Sequence, residues 1–585
     1  MFKRANKITA LLVAAASIMS VVPAMASTRL GTKDGTIENA ISFKDGKYIY
    51  QGYRTDDDNK SVYYNDGTKD KELDDLTDAT LNDKYDTNSA ISWDGTTDEY
   101  LVDLSKGTVS DEDLASDTQS TAADKLESKL KKTDRYGDYV QVTDSDLTKV
   151  TANQFGDVWY QYTTTTSGSA TAASPTPAGG STLSGYTDKT GKYIDASKTA
   201  NLRVFNGSKM VKIDEFDADA TEGIKADIDT TFAPVTIAQD ADYFYRVIKV
   251  NFTTDASTIV VDSKGGAQVT NATYLQKISK AQGDKEKDAY LPKTVESYEL
   301  DASTVLAGEG DVATANDKIM NAVRAISGTA ASSDNVFVGV RVIDGVVYYT
   351  EMDSATKVKT YKIKLNKNIK FDAKVNYTST TTKVDAYAAK KDDDKDQDVK
   401  GDASEKGVSI DVNGNVWVVN EGEILKSEKA GDFKVMYTCD RSLDSLDVYD
   451  DGDLVAWDSA GDVYTTVQEG SKVTEGETTP VAPAKTGWDQ LADGTWNFLD
   501  TTGAKVANNW VNVGGTWYFL KADGVMATGW LNQNGTWYFL KASGAMATGW
   551  FNDNGTWYYL NASGAMLSNT TVDGYVLAAS GAWVK

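Results

Sequence analysis

The sequence predicts a mainly β protein, with a propeller-like β body followed by a C-terminal β-hairpin solenoid of repeats of about 20 residues. Short apolar runs alternate with Asn, Asp and Gly turns through residues 31–470, as in VSIDVNGNVWVVN, which is the pattern of antiparallel hairpins. Nine of the 13 tryptophans lie after Gly487. The string GTWYFLKADGVMATGW at Gly515 recurs at Gly535 as GTWYFLKASGAMATGW, and such a fixed period indicates a stack of similar units.

Residues 1–26 have the pattern of a secretory signal peptide. Lys3, Arg4 and Lys7 precede an apolar run, and Ala24 and Ala26 have the spacing of a cleavage site. The apolar run, about 15 residues long, is shorter than the roughly 20 residues that a membrane-spanning helix needs. We therefore expect an exported protein that begins at residue 27 and has no membrane segment after cleavage.

The composition excludes several classes of function. The net charge is −26, and such an acidic chain is a poor ligand for nucleic acid, which needs clustered Lys and Arg. The chain has no histidine, so zinc hydrolases with His ligands and hydrolases with an imidazole base are excluded. Carboxylate pairs, Ser-Lys arrangements and Tyr nucleophiles stay open. We assign no catalytic residue, metal ligand or cofactor.

Residues 27–467 are predicted to form the acidic β body, as a propeller with loop insertions or, alternatively, as an array of sandwiches. Two segments, 111–132 and 312–326, have helical patterns. Residues 163–185, rich in Thr, Ser, Ala and Gly, are predicted to be an exposed loop. Cys439, the single cysteine, is predicted to be a small buried residue in or beside a strand.

The acidic run DDDKDQDVKGDASE has part of the spacing of a calcium-binding loop. Asp394, Asp396, Asp398 and Glu405 occupy positions 1, 3, 5 and 12, but Val399 stands where the turn requires Gly. The pattern therefore favours a solvated charge run. The Asp pairs at 56–58 and 450–451 are predicted to be hairpin tips, because turns select Asp for its bonds to the backbone.

Residues 468–486 are a predicted linker, and residues 487–585 are the repeats. The units at Trp510, Trp530 and Trp550 share Trp, six further residues, Trp-Tyr-aromatic-Leu, a turn, Ser/Asp-Gly and then Met, and in the last two of them Gly precedes the first Trp. Two strands of about five residues around NG or GG, plus a connecting loop, use all the positions. A hairpin this small is not stable alone, so successive hairpins are expected to stack.

The repeated aromatic residues suit an open cage better than a closed core. Trp is bulky, and its indole N–H needs a partner when buried. Two Trp of one hairpin, a Tyr of the next and a Met would form a box lined with the negative faces of the rings. Such a box binds a weakly hydrated cation, above all a quaternary ammonium, at about 0.5 to 2 kcal/mol per ring.

The string GWLNQNGTWYFLKASGAMATGW resembles the choline-binding, or cell-wall-binding, repeat of Gram-positive surface proteins and phage lysins. The resemblance covers residues 487–585 and implies sites between consecutive hairpins that bind choline carried on teichoic acid. Carried over to this sequence, the implied sites consist of Trp510, Trp517, Met526 and Tyr538, and of Trp530, Trp537, Met546 and Tyr558. Trp550 and Trp557 hold the same places in the following unit.

Some units depart from the family pattern. Phe519 and Phe539 stand where the family commonly has Tyr, and Val506 stands in the Met position of the first unit. The last unit, with Tyr575 and Trp583, is predicted to be a cap. We therefore expect two complete sites and one or two partial ones.

For the whole chain, the sequence favours a non-enzymatic surface protein that displays an adhesion or scaffold domain through a wall-binding solenoid. Two short strings, DVNGNVW at Asp411 and DSAGDVY at Asp458, resemble the turn motif of bacterial propeller repeats of the NHL kind. One alternative is a wall-attached carbohydrate-active enzyme (a glycosidase, lyase or sialidase-like enzyme) that uses carboxylates. Another is that the repeats bind glucan, by ring stacking, and not choline.

Overall fold

The computed structural model describes residues 28–53, 60–77, 79–86, 88–94, 98–111, 114–150, 157–165, 182–216, 221–254, 269–300, 310–329, 335–375, 380–400, 406–468, 487–491, 495–499, 505–513, 515–533 and 535–584. The predicted signal peptide, most of the predicted linker and the Asp residues at 56–58 lie outside these ranges. Two compact units are present: residues 27–473, called the body, and a second unit that contains residues 474–585, called the module.

The body is built of antiparallel hairpins, so the prediction of a mainly β protein is confirmed. Two short strands come first: β1 (Thr28–Arg29) and β2 (Lys33–Asp34). The first sheet contains, in this order, β3 (Thr36–Phe43), β4 (Lys47–Tyr53), β5 (Ser61–Asn65) and β6 (Asp70–Glu72). The second contains β7 (Thr80–Lys84), β8 (Ser89–Asp94), β9 (Asp98–Asp103) and β10 (Thr108–Ser110). Asp45 and Gly46, in the β3–β4 turn, have φ of 62° and 69°, which Asp and Gly tolerate.

A helix precedes the third sheet, as the pattern at 111–132 predicts. Helix α1 (Leu114–Leu130) packs Ala122, Leu126 and Leu130 against Tyr160 and Tyr162 of that sheet. The sheet contains β11 (Leu147–Lys149), β12 (Trp159–Thr165), β13 (Thr182–Asp188) and β14 (Tyr193–Asp195). Strands β12 and β13 pair antiparallel on either side of the predicted loop, of which residues 166–181 are not described.

The fourth and largest sheet has nine strands, and two separate hairpins, β15–β16 and β21–β22, lie in the same part of the chain. The strands up to α2 are β15 (Thr199–Phe205), β16 (Met210–Glu215), β17 (Ile224–Ile228), β18 (Val235–Gln239), β19 (Tyr243–Thr254), β20 (Asn271–Ser279), β21 (Gln282–Glu286), β22 (Ala289–Pro292) and β23 (Val295–Glu299). Then follow α2 (Gly310–Ile326), β24 (Val336–Ile343), β25 (Val346–Ser354), β26 (Lys357–Lys374) and β27 (Thr381–Asp398). The order is β17-β19-β20-β23-β27-β26-β25-β24, with β18 on β19. One parallel pair, Glu299 with Ala388, joins an antiparallel half of five strands (β17, β18, β19, β20 and β23) to an antiparallel half of four (β24 to β27).

Helix α2, predicted at 312–326, is anchored to this sheet by a buried ion pair. Lys318 Nζ lies 2.8 Å from Glu351 Oε1, and the Glu351 side chain has no exposed surface. Tyr361, Asn335 and Tyr349 also donate hydrogen bonds to this carboxylate, at 3.0, 3.0 and 3.1 Å. A buried charge is tolerated when it is paired and hydrogen-bonded in this way. The pair therefore holds the helix in one place on the sheet.

The N-terminal strands complete the last two sheets of the body. The fifth sheet contains β28 (Val408–Ile410), β29 (Val416–Asn420), β30 (Glu423–Ser427) and β31 (Lys434–Thr438), with β1 parallel to β31. The sixth contains β32 (Ser445–Asp450), β33 (Asp453–Trp457) and β34 (Val463–Val467), with β2 antiparallel to β34. The two ends of the body are therefore tied together.

Counted with the halves of the nine-stranded sheet, the described residues of the body form seven antiparallel units of four or five strands, one of which also carries β1 in parallel, and consecutive units share core residues. Phe43 of the first unit packs in one cluster with Val102 of the second. The hydroxyls of Tyr85 and Tyr160, 3.3 Å apart, connect the second unit to the third. The seventh unit packs Trp457 into a cluster of the first. Further clusters join the third unit to the fourth, the fourth to the fifth, the fifth to the sixth and the sixth to the seventh. The units thus contact one another in a closed series.

The acidic run at 392–405 is not a calcium loop. Asp394 and Asp396 lie inside β27 and pair in register with β26. Lys357 Nζ lies 3.0 Å from an Asp396 oxygen, and Lys359 Nζ lies 3.7 Å from an Asp394 oxygen. An extended strand holds residues two apart about 7 Å from each other along a straight line, whereas a calcium loop curves its carboxylates around one cation. Lysines of the facing strand neutralise them instead.

Cys439 follows β31 and is buried in the core shared by the last two sheets, as predicted. Burial, together with the nearby Asp440, raises the pKa of its thiol to about 11. The thiolate, which is the reactive form, is therefore scarce at neutral pH. The tip predicted at 450–451 is also confirmed, since Asp450 accepts a hydrogen bond from the backbone N–H of Gly452.

The module consists of five hairpins, as the repeat period predicts. In chain order they are β35 (Gly487–Gln490) with β36 (Trp496–Leu499), β37 (Asn509–Val513) with β38 (Thr516–Leu520), β39 (Gly529–Gln533) with β40 (Thr536–Leu540), β41 (Gly549–Asp553) with β42 (Thr556–Leu560), and β43 (Thr570–Val572) with β44 (Tyr575–Leu577). The loop after each of the last four returns to the hairpin before it. Met546 N, for example, donates to Trp517 O at 2.8 Å. These bonds stack the hairpins.

Each hairpin has two different faces, because side chains alternate along a strand. In the third hairpin, Trp530 pairs with Phe539, and Trp537 lies two residues before Phe539 on the same face. In the fourth hairpin, Phe551 pairs with Tyr558. The rings of Phe539 and Phe551 lie 4.0 Å apart, so the tryptophan face of one hairpin meets the tyrosine face of the next.

We expect Gly544→Ala to destabilise the module more than Gly535→Ala. Both glycines have positive φ, 80° and 90°, where a Cβ costs about 1–2 kcal/mol. A Cβ at Gly544 would lie 2.2 Å from Met526 Sδ, whereas at Gly535 nothing lies within 4 Å. Displacing Met526 adds about 1–3 kcal/mol. Thermal unfolding followed by the near-ultraviolet circular dichroism of tryptophan measures the difference, and equal midpoints for the two variants would contradict it.

Candidate functional site

The module exposes one large indole on each of its first four hairpins. Trp496, Trp517, Trp537 and Trp557 are 37%, 44%, 42% and 41% exposed. An array of exposed tryptophans at a regular spacing is unusual for a protein surface and marks a binding surface. The tryptophans are therefore not the closed core of a stack.

At the third junction, three rings enclose an open corner. Trp530 lies 6.3 Å from Trp537 of its own hairpin, at an interplanar angle of 80°. It lies 4.8 Å from Tyr558 of the next hairpin, at 70°. Because Trp537 is 42% exposed despite these contacts, part of its π face stays accessible. Tyr559 instead packs on Trp550, at 5.2 Å, which makes Tyr558 the third ring of this corner.

The same ring contact occurs at four junctions. The distances are 4.8 Å for Trp488 with Tyr518, 5.1 Å for Trp510 with Tyr538, 4.8 Å for Trp530 with Tyr558 and 5.3 Å for Trp550 with Tyr575. We name cages 1 to 4 by their three rings: Trp488, Trp496 and Tyr518; Trp510, Trp517 and Tyr538; Trp530, Trp537 and Tyr558; and Trp550, Trp557 and Tyr575. Sequence analysis expected two complete sites, and the structure repeats the arrangement twice more.

The methionine of each cage comes from one unit later than the sequence assignment stated. Met546 packs with Trp510 and Tyr538, which are rings of cage 2. Its backbone is bonded to Trp517, and that of Met526 is bonded to Trp496, a ring of cage 1. These backbone bonds place Met526 beside cage 1 and Met546 beside cage 2, whereas the sequence assignment grouped them with the rings of cages 2 and 3, because the loop of each unit folds back on the preceding hairpin. The backbone of Met566 is bonded in the same way to Trp537 of cage 3.

In the first unit, Lys505 and not Val506 takes the methionine position. Lys505 bridges to Leu499 as Met526 bridges to Leu520. A Cβ on Gly524 would touch the Lys505 chain, just as one on Gly544 would touch Met526. The two extra residues of this unit hide the equivalence in the sequence.

The last hairpin completes a cage and is not only a cap. Trp583 N donates to Trp557 O at 2.8 Å, which is the bond that a methionine makes in the other units. The Trp583 ring lies 5.4 Å from Tyr575, at 88°. Cage 4 therefore has Trp583 in the position that a methionine holds in cages 1 to 3.

We call the tryptophan of each cage that contacts the Tyr of the next hairpin the inner tryptophan. Two inner tryptophans donate their indole N–H to aspartates that sequence analysis did not identify. Trp530 Nε1 donates to Asp553 Oδ2 at 2.9 Å, and Trp550 Nε1 donates to Asp573 Oδ2 at 3.4 Å. In both cases the acceptor belongs to the following hairpin. In the sequence, Asp553 follows Trp550 by three residues, and Asp573 follows Thr570, which holds the equivalent position in the last unit, by the same number.

A surface cavity of the body, of about 500 Å³, carries the carboxylates that a hydrolase would need. It is lined by Asp344, Glu428, Asp450, Asp451, Lys426 and Lys429, among others. Lys426 forms ion pairs with Glu428 and with Asp451, the second at 2.7 Å, and Lys429 pairs with Asp344 at 2.8 Å. The lysines therefore neutralise these acids instead of leaving them as an acid and base pair.

Asp411, in the DVNGNVW string, holds its own turn. Its carboxylate accepts hydrogen bonds at 2.9 Å from Trp417 Nε1, from the Asn415 amide and from the backbone N–H of Asn413 and of Asn415. Burial raises the pKa of Asp411. Because its oxygens are occupied by these donors, the raised pKa reflects burial in a hairpin tip and gives no sign of catalysis.

The described residues offer two further facts about the chemistry of the chain. They contain no group of three or more Cys, Asp or Glu side chains that could hold a metal ion. Neither described helix is both long and apolar enough to cross a membrane.

The comparison with known proteins concerns the module. The choline-binding repeat family matches residues 507–551 and 527–570. A choline-binding domain from Streptococcus pneumoniae is 44% identical and covers 14% of this chain and 96% of its own, with a TM-score of 0.13. The choline-binding domain of CbpL from the same species is 30% identical, covers 17% of this chain and 65% of its own, and has a TM-score of 0.13. A multimodular pneumococcal cell-wall endolysin from phage Cp-1, complexed with choline, is 31% identical, covers 21% of this chain and 33% of its own, and has a TM-score of 0.14. None of the curated proteins matches the chain.

Proposed function

This chain belongs, through its module, to the choline-binding repeat proteins, and from that premise we propose that it is an exported surface protein held non-covalently on the cell wall. The module binds choline headgroups of teichoic acid in its aromatic cages. The body is the displayed part, an adhesion or scaffold domain. The signal-peptide pattern of residues 1–26 supports export.

The observation that carries this proposal is the open corner of rings at the third junction, together with the same Trp–Tyr contact at all four junctions. A trimethylammonium group is large and weakly hydrated, so it loses little on leaving water and gains attraction from each ring face. Trp537, 42% exposed, offers such a face beside Trp530 and Tyr558. A sugar would also stack on an indole, but it would draw no benefit from three converging faces.

Four cages on one module suit a polymer better than a single headgroup. One cage alone binds weakly, since each ring contributes only about 0.5 to 2 kcal/mol. Once one cage is occupied, the next headgroup of the same polymer is held close to the next cage, and the effective concentration raises the overall affinity. Retention on the wall therefore rests on several cages together.

For the body we propose a seven-bladed β-propeller. The closed series of seven units of four or five strands, the last completed by β2 on β34, supports it. Radial repetition of this kind protects the sheet edges, and the N-terminal strand fastens the ring. The ion-paired acids of the body cavity favour a binding role over a hydrolytic one.

We expect free choline at millimolar concentration to elute the protein from choline-bearing cell walls, because the monomeric cation competes for every cage. Elution is measured by the fraction of intact protein released from washed walls. Sodium chloride at the same ionic strength is the control, and it should release little, since the cages act at short range. Release by glucan oligomers but not by choline would transfer the module to the sugar-binding class.

A further inference from the structure

The acceptor of the inner indole N–H differs from one cage to the next. Trp530 of cage 3 has Asp553 at 2.9 Å, and Trp550 of cage 4 has Asp573 at 3.4 Å. The corresponding residues opposite cages 1 and 2 are Val513 and Gln533. The side chain at this position therefore changes from neutral to anionic along the module, although the rings stay similar.

The Asp553 carboxylate lies on the wall of cage 3. In the fourth hairpin Asp553 pairs with Thr556, and Tyr558 lies two residues further along the same strand as Thr556. Side chains two residues apart point to the same face, so Asp553 and Tyr558 both face Trp530. Asn554 donates to the second carboxylate oxygen, Oδ1, at 2.9 Å and so holds the group in place.

A carboxylate at this place affects cations and neutral ligands differently. A cation over the indole face would lie about 6 to 7 Å from the carboxylate, and at that distance, even with the dielectric constant of water, attraction changes the affinity about threefold. A neutral ligand of the same shape feels no such attraction. Asp573 is more exposed and makes a longer bond, so solvent weakens its effect.

We propose that Asp553, and more weakly Asp573, select the positive charge of the ligand, so that cages 3 and 4 bind a quaternary ammonium more tightly than cage 2. This inference rests on the proposed function and adds the residues that decide between a cation and a neutral ligand. The rings determine which shape of ligand the cage accepts, and the aspartates determine that a positively charged ligand binds more tightly than a neutral one.

The test isolates one cage in the full chain. Trp496→Ala, Trp517→Ala and Trp557→Ala together leave cage 3 complete, and calorimetry then measures choline and its uncharged isostere 3,3-dimethylbutan-1-ol. Adding Asp553→Asn should lower the choline affinity about threefold and leave that of the alcohol unchanged, because the amide oxygen still accepts the indole N–H. Asp523→Asn is the matched control: it removes the same charge at a turn where Asp523 caps Val525 N, and it should change neither affinity.

A gain of affinity is expected in cage 2. With Trp496, Trp537 and Trp557 replaced by alanine, Gln533→Asp should raise the choline affinity of that cage about threefold. Equal losses for both ligands in Asp553→Asn, or no change for choline, would overturn charge selection. If the unaltered chain binds choline in no cage, the proposed function itself fails, which is a different outcome from an unchanged Asp553→Asn variant.

Discussion

A chain in which Trp517, Trp537 and Trp557 are all alanine should lose most of its retention on choline-bearing walls, by a factor of about 100 or more. Each substitution removes one ring from one cage, worth about 1 kcal/mol or fivefold, and the losses multiply on a polymer that several cages hold. The three side chains are 44%, 42% and 41% exposed, so their removal leaves little cavity in the stack. Retention is measured as the dissociation constant for choline-bearing wall fragments.

The control keeps an aromatic ring at each position, although the ring is smaller and lacks the indole N–H. A chain with phenylalanine at the same three positions retains a π face in each cage and should keep a large part of the affinity. Thermal unfolding of both triple variants should stay close to that of the unaltered chain. Full retention by the triple alanine variant would show that the exposed indoles are not the binding surface.

Lys318→Met should destabilise the body by about 3–5 kcal/mol, because it leaves the fully buried Glu351 carboxylate without its counter-ion. Burial by itself would lower the pKa of Lys318, but the hydrogen bond and the charge of Glu351 outweigh it and raise the pKa. The folded state thus favours the charged lysine. Urea unfolding followed by tryptophan fluorescence measures the loss of free energy of unfolding.

Lys357→Met provides the matched comparison on the same sheet. Lys357 pairs with Asp396 at 3.0 Å, but the two side chains are 39% and 51% exposed. Water already solvates such a pair, so its loss should cost less than about 1 kcal/mol. Similar losses in the two lysine variants would contradict the anchoring role of the buried pair.

Much of the fold could be predicted because its signals are local. The Asp45-Gly46 turn and the alternation on either side of it define a hairpin within a dozen residues. The helices at 114–130 and 310–326 were recognised from the same kind of short-range pattern. The acidic run shows the limit of such reading: the sequence favoured a solvated charge run over a calcium loop, and only the pairing with β26 shows that its residues up to Asp398 form a strand.

The candidate site was predicted in its residue types but not in its grouping. The exposed tryptophans and their tyrosine partners follow from the repeat, since both lie on strands of known alternation. The methionines do not, because Met546 leaves its own hairpin and joins the rings of the preceding one. Asp553 was missed for a similar reason: its partner Trp530 is 23 residues away in the chain and on another hairpin.

By itself, then, the sequence determined the hairpins, the repeat period, the acidic character and the aromatic chemistry of the module, all of which depend on neighbours along the chain. Only the tertiary structure decided which loop closes each cage, that Lys505 replaces the methionine of the first unit, that Trp583 completes the last cage, and which carboxylates face the indoles. The physical reason is that these contacts join residues of different hairpins. Stacking, and not local conformational preference, sets their register.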